Sequence, residues 1–128
     1  MTFKIDTETF RIQGRKGDSG VIKFIFNRNL SEFDVYFTVK ASLDDADENA
    51  LITKTFLKPF GSEIVVNLSP EDTSKFQLNC SKVRQFTDFF WGLKVVQGDF
   101  FAQTVVPSGS AMPPRFRVYQ QIIGGKND

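Results

Sequence analysis

Apolar and polar residues alternate most regularly between positions 33 and 41. Phe33, Val35, Phe37, Val39 and Ala41 fall on one side, and Asp34, Tyr36, Thr38 and Lys40 on the other. Successive side chains of a strand point to opposite faces, so this is the period of a β-strand with one face in a core and one in water. The same period predicts a short first strand at Thr9-Phe10-Arg11-Ile12-Gln13 and a second at 21–26 with Ile22, Phe24 and Phe26 aligned. It returns at 50–57, at 62–68 with Ile64, Val66 and Leu68 aligned, and at 115–120. Residues 89–106 hold two β-prone runs split by a Gly-containing turn, the strongest hairpin signal in the chain. Phe89, Trp91, Leu93 and Val95 share one face of it and are expected core. Residues 79–87 fit either an edge strand or irregular chain.

Between these runs the residues are those that turns need. Gly14 to Gly20 contains three glycines and the Asp18-Ser19 pair, which permit positive φ and local side-chain caps, so Gly17, Asp18 and Ser19 are assigned to a structural turn. Turns are also expected at 27–31 and 58–61, an acidic loop at 44–49, and a loop at 107–114. Ser69-Pro70-Glu71-Asp72-Thr73 predicts a helix lasting only to about Phe76. Ser69 is a fitting N-cap, Pro70 takes the first helical position, and Asp72 stands where a capping box places Glu or Gln. Asp72 and Thr73 are expected to be structural, tying helix and strand through side-chain-to-backbone bonds. About seven or eight short strands with turns between them predict an all-β fold, a two-sheet antiparallel β-sandwich with one short helix near 70–76. It forms one domain over 1–128, with a core at about 9–120 and frayed termini.

Composition narrows what such a domain can do. Fifteen Phe and one Trp stand against two Tyr. Phe has no polar handle, so these rings belong in a core or an interface. A net charge of +1 from 16 basic and 15 acidic residues gives no electrostatic case for nucleic acid or an anionic membrane. No apolar run approaches a membrane span, and Met1 to Asp6 carries no signal-peptide core, so a cytoplasmic site of synthesis is expected. The single cysteine, Cys80, reads as a packed thiol. The three Asn-x-Ser triplets read as chance matches.

There is no histidine, which removes the Ser-His-Asp and Cys-His mechanisms and most zinc sites. Gly17-Asp18-Ser19-Gly20 therefore reads as a turn despite its likeness to a serine-protease signature. The acidic loop lacks the glycine and distal glutamate of an EF-hand, and 122–126 lacks phosphate-loop spacing. Arg115 and Arg117 beside Phe116 and Tyr119 are explained by strand alternation. The expectation is a non-enzyme with no cofactor and no metal, with cation binding at 44–48 left open.

Some strands are apolar on both faces. Phe90 and Val96 lie on the reverse side of the first hairpin strand with Gly92 and Lys94, and Phe100 and Phe101 must point opposite ways. Phe90, Gly92, Val96, Phe100 and Tyr36 are the candidate interface, with Gly92 a place where another backbone can approach closely.

Several stretches in order resemble the N-terminal domain of phage baseplate upper proteins and related tail structural proteins of Gram-positive hosts. They are Arg15-Lys16-Gly17-Asp18-Ser19 before Val21-Ile22-Lys23-Phe24, Val35 to Lys40 before an acidic loop, Leu68-Ser69-Pro70-Glu71-Asp72-Thr73, Phe90-Trp91-Gly92-Leu93-Lys94, Gln103-Thr104-Val105-Val106, and Phe116-Arg117-Val118. The chain departs from the family pattern at Gly92, where an Asp is usual, and at Lys16, which interrupts Arg-Gly-Asp-Ser. The resemblance implies an immunoglobulin-like sandwich without enzymatic activity, acting in a virion assembled in the host cytoplasm. It implies assembly with copies of itself, a homo-oligomer, or with neighbouring tail proteins. The alternative is a carbohydrate- or host-receptor-binding sandwich with an exposed aromatic platform at Trp91 or Tyr36.

Overall fold

A computed structural model describes residues 12–42, 49–78, 86–107 and 114–120. In chain order the strands are β1 (Ile12–Arg15), β2 (Gly20–Ile25), β3 (Asp34–Lys40), β4 (Ile52–Leu57) and β5 (Glu63–Leu68). A one-turn helix α1 (Pro70–Thr73) follows, then β6 (Phe86–Gln97), β7 (Phe101–Val106) and β8 (Arg115–Tyr119). The all-β class stands, with two sheets of very unequal size. No helix among the described residues is long and apolar enough to cross a membrane.

The twelve-residue β6 organises the larger sheet. One edge pairs antiparallel with β3, which pairs with β4. The other edge is shared: β8 takes Phe86 to Phe90 and β7 takes Leu93 to Gln97. Beyond β8 lies β1, and that pairing is parallel, so the large sheet is mixed rather than wholly antiparallel. Gly14 and Arg15, expected to begin a turn, instead pair with Val118 and Tyr119, so the ladder to β8 carries the strand past the glycine. Residues 9–11, Cys80 and the acidic run 44–48 lie outside the described residues.

The second sheet is the β2–β5 ribbon, in register from Gly20↔Leu68 to Ile25↔Glu63. Its inner residues Phe24, Ile64, Val66 and Leu68 meet the inner face of the large sheet. The Phe24 ring lies 5.3 Å from Trp91 and 6.0 Å from Phe37, centroid to centroid, the tilted spacing that aromatic quadrupoles favour. A second aromatic cluster seals the helix end, with Phe76 4.6 Å from Phe89 and 5.3 Å from Phe116. The alternating residues of β3 behave as expected up to Val39. Ala41 is exposed, because β3 ends at Lys40. Its opposite face is half-buried rather than wet.

Candidate functional site

On the outer face of the large sheet the register places side chains in rows running across the strands. One row is Thr53, Thr38 and Gly92, continued by Pro107. Residues on one face recur every second position, so the flanking rows lie about 7 Å away on either side. On one side stand Lys40 and Phe90, and on the other Tyr36, Lys94 and Thr104. A row of small residues between rows of long ones makes a trough across the sheet, about 600 Å³ in volume. Three strand spacings give it a length of about 14 Å.

Gly92 sets the floor. A Cβ there would sit 2.8 Å from the carbonyl oxygen of Val106, closer than real Cβ contacts come. The approaching backbone belongs to β7 of the same chain. It arrives through an irregularity: Leu93 pairs with Val106 and Lys94 with Thr104, leaving Val105 as an extra, bulged residue. Val105 and Val106 are consequently both buried.

Four of the five residues expected at an interface, Tyr36, Phe90, Gly92 and Val96, thus line one trough. The fifth, Phe100, stands 83% exposed in the β6–β7 turn. Trp91 is no platform: the residue borders the trough, but at 2% exposure its ring fills the core. Thr38, Thr53, Thr104 and Lys94 were not among the expected site residues because each is an ordinary outward strand residue until the register aligns them. Among the described residues, the hydroxyls of Tyr36, Thr38, Thr53 and Thr104 and the Lys94 ammonium have no side-chain hydrogen-bond or ion-pair partner. Among the described residues no carboxylate lines the trough.

A second candidate surface lies at one end of the sheet. Asp34 pairs with both Leu57 and Val96, so the start of β3 and the ends of β4 and β6 share that end. There Leu57 is 70% and Phe60 96% exposed, with Phe100 in the neighbouring turn. The 57–61 loop is fixed at its base, where Leu30 N–H donates to the Gly61 carbonyl and Phe26 N–H to the Ser62 carbonyl, both at 2.7 Å. Lys58 adopts φ 46°, a conformation that L-residues with side chains occupy at a cost.

The turn and helix residues are fastened to one another. Gly17 takes φ 86°, alone among the three glycines of its turn. Its N–H donates to Thr73 Oγ1 at 3.0 Å, and that hydroxyl donates to the Asp18 carbonyl at 2.8 Å. Ser69 and Asp72 form a capping box below Pro70, and Lys54 Nζ donates to Asp72 Oδ2 at 2.8 Å. The Lys54 bond, followed by that from the Ser69 N–H, holds the Asp72 carboxyl below the usual aspartate range. Ser19 is exposed.

Beyond Phe90 on the outer face, Asp88 is gripped by Arg117 Nε at 2.9 Å and by Arg115 at 3.1 Å. The Arg117 guanidinium stacks 3.8 Å over Phe86. The Arg117 bond, then that of Arg115, lowers the Asp88 carboxyl's affinity for a proton. This ties up the basic-aromatic cluster internally. Among the described residues no three His, Cys, Asp or Glu side chains converge as metal ligands would. No known protein-family model matches this chain, and no curated protein matches its sequence.

Proposed function

We propose that this protein is a non-enzymatic structural module that works by protein–protein assembly, of the kind found in phage tails and baseplates and carried in the virion. The observation carrying the assembly reading is the set of apolar side chains at one end of the sheet: Phe60, Phe100 and Leu57. Burying a phenylalanine removes apolar surface worth about 1.5–3 kcal/mol. A monomer forgoes that gain at Phe60, on a loop held at its base and strained at Lys58. Strain maintained beneath an exposed apolar tip supports the reading of a preformed contact surface.

The phage assignment rests on the resemblance of the motifs above. An immunoglobulin-like arrangement is the finer reading of the fold, and the connectivity favours it. The chain changes sheets between β1 and β2, β2 and β3, β4 and β5, and β5 and β6, as interlocked sandwiches do. Light scattering from micromolar to millimolar concentration is the test. Self-assembly predicts a mass above the monomer that falls to the monomer in Phe60→Asp/Phe100→Asp, with an unchanged circular dichroism spectrum. A strict monomer throughout refutes self-assembly.

A further inference from the structure

We propose that the trough over Gly92 binds an anionic saccharide chain. Shape comes first. The floor row is small and the walls are long side chains, and the trough is a surface groove rather than an enclosed cavity, so a linear polymer can lie across the sheet. Tyr36 and Phe90 stand on opposite walls. An aromatic face is negative and apolar, the counterpart of the C–H face of a pyranose ring.

The polar groups agree. The hydroxyls of Tyr36, Thr38, Thr53 and Thr104 have no side-chain partner among the described residues, and a hydroxyl both donates and accepts, as sugar hydroxyls do. Lys94, which forms no ion pair among those residues, supplies positive charge, and no carboxylate among the described residues lines the trough. That charge complements carboxylates or sulfates on the sugar.

An acidic peptide would share the charge but not the remaining chemistry. Peptides are held mainly by adding a strand to an open edge. The trough crosses the middle of the sheet, where β3 and β6 are paired with neighbours on both sides. A peptide's backbone groups would find no ladder there, whereas a saccharide needs none.

The test uses the full chain with four probes: a galacturonate hexamer, a sulfated hexasaccharide, a neutral galactose hexamer and hexaglutamate. Amide chemical shifts locate binding and calorimetry measures it. The expectation is that one or both anionic saccharides shift Thr38, Gly92, Lys94 and Thr104. Their affinity should fall about tenfold or more with Lys94→Glu and with Thr53→Trp, which fills the trough from an exposed position. The neutral hexamer should bind about tenfold more weakly or worse. Whichever anionic saccharide binds more tightly identifies the acidic group. Absence of shifts at these positions with both at millimolar concentration overturns the proposal, as does hexaglutamate binding equally well. Light scattering on the same samples keeps the result separate from assembly, since neither variant alters the 57–61 loop or the β6–β7 turn.

Discussion

Replacing Gly92 with alanine sets three effects against one another. Alanine restricts the unfolded chain, which in a strand interior favours folding by about 0.5–1 kcal/mol. Burying one further carbon contributes at most about 0.8 kcal/mol. Against these stands the contact: the new Cβ would lie 2.8 Å from the Val106 carbonyl oxygen and 4.0 Å from Pro107. The neighbour that must yield is backbone. It cannot swing aside as a side-chain tip would, because Val106 is paired with Leu93 and its side chain is buried at 2% exposure. Overpacking of this sort costs about 1–3 kcal/mol, and here the high end applies. The balance is a loss of about 1–2 kcal/mol, or about 4–8 °C in Tm for a chain of this length. Thermal unfolding followed by circular dichroism measures it, and amide exchange at Leu93 and Val106 should accelerate first. Gly20→Ala is the control. Nothing lies within 4 Å of its added Cβ, so that variant should be neutral or up to about 1 kcal/mol more stable. An unchanged or raised Tm in Gly92→Ala would refute the claim that close approach explains the glycine.

Thr73→Val keeps shape and volume but removes the hydroxyl that serves Gly17 and Asp18 at a buried position. Asp18 is exposed and Gly17 half-buried, so water can reach the freed backbone groups in part, and the loss should be about 1–2 kcal/mol in urea unfolding; a change below about 0.5 kcal/mol would contradict the tether. Asp72 and Asp88 both have folded-state pKa values below that of unfolded aspartate, about 3.9. The unfolded chain therefore binds protons first as pH falls. The stability from these bonds is fully present above about pH 4 and is lost as pH drops through the lower folded values. Urea midpoints between pH 6 and 2 should decline, and Asp88→Asn should flatten part of that decline. An identical pH slope in the variant would show that the Arg117 and Arg115 bonds do not stabilise the fold.

What could be read from the sequence was local. Period-2 alternation assigned the inner faces of β3, β5 and β6, because burial on one side of a strand is written in neighbouring residues. Ser69, Pro70 and Asp72 announced the helix start within four positions, but α1 ends at Thr73, three residues before the expected end at Phe76, whose ring is buried against Phe89 and Phe116. The parallel β1–β8 pairing and the division of one β6 edge between β7 and β8 carry no local signal. Both are set by contacts between strands far apart in the chain. Lys54 shows the same limit from the other side. It lies in a strand, yet its ammonium reaches Asp72 at the helix, and only the packing of β4 near α1 explains why a charged residue belongs there.

The trough is non-local in the same sense, and this explains why Gly92 invited a different expectation. A glycine in an otherwise bulky strand marks a place where backbone comes close, and from sequence alone that backbone could belong to any chain. It is supplied by β7, bulged at Val105 so that the Val106 carbonyl sits over the site. The space next to Gly92 is therefore already partly filled, and a partner cannot use it for main-chain contact. What remains open is the row that Gly92 shares with Thr38 and Thr53, whose hydroxyls point outward without partners among the described residues. The two most exposed large apolar side chains among the described residues lie elsewhere, at Phe60 and Phe100. The trough sets hydroxyls and Lys94 among the apolar parts of Tyr36, Phe90 and Val96, whereas the loop end presents the wholly apolar side chains of Leu57, Phe60 and Phe100, and two kinds of contact explain this difference better than one interface spread over both. The hydroxyl-rich trough suits a ligand that exchanges hydrogen bonds with water at little net gain and draws its selectivity from shape and charge. The loop end suits a contact driven by the removal of apolar surface from water.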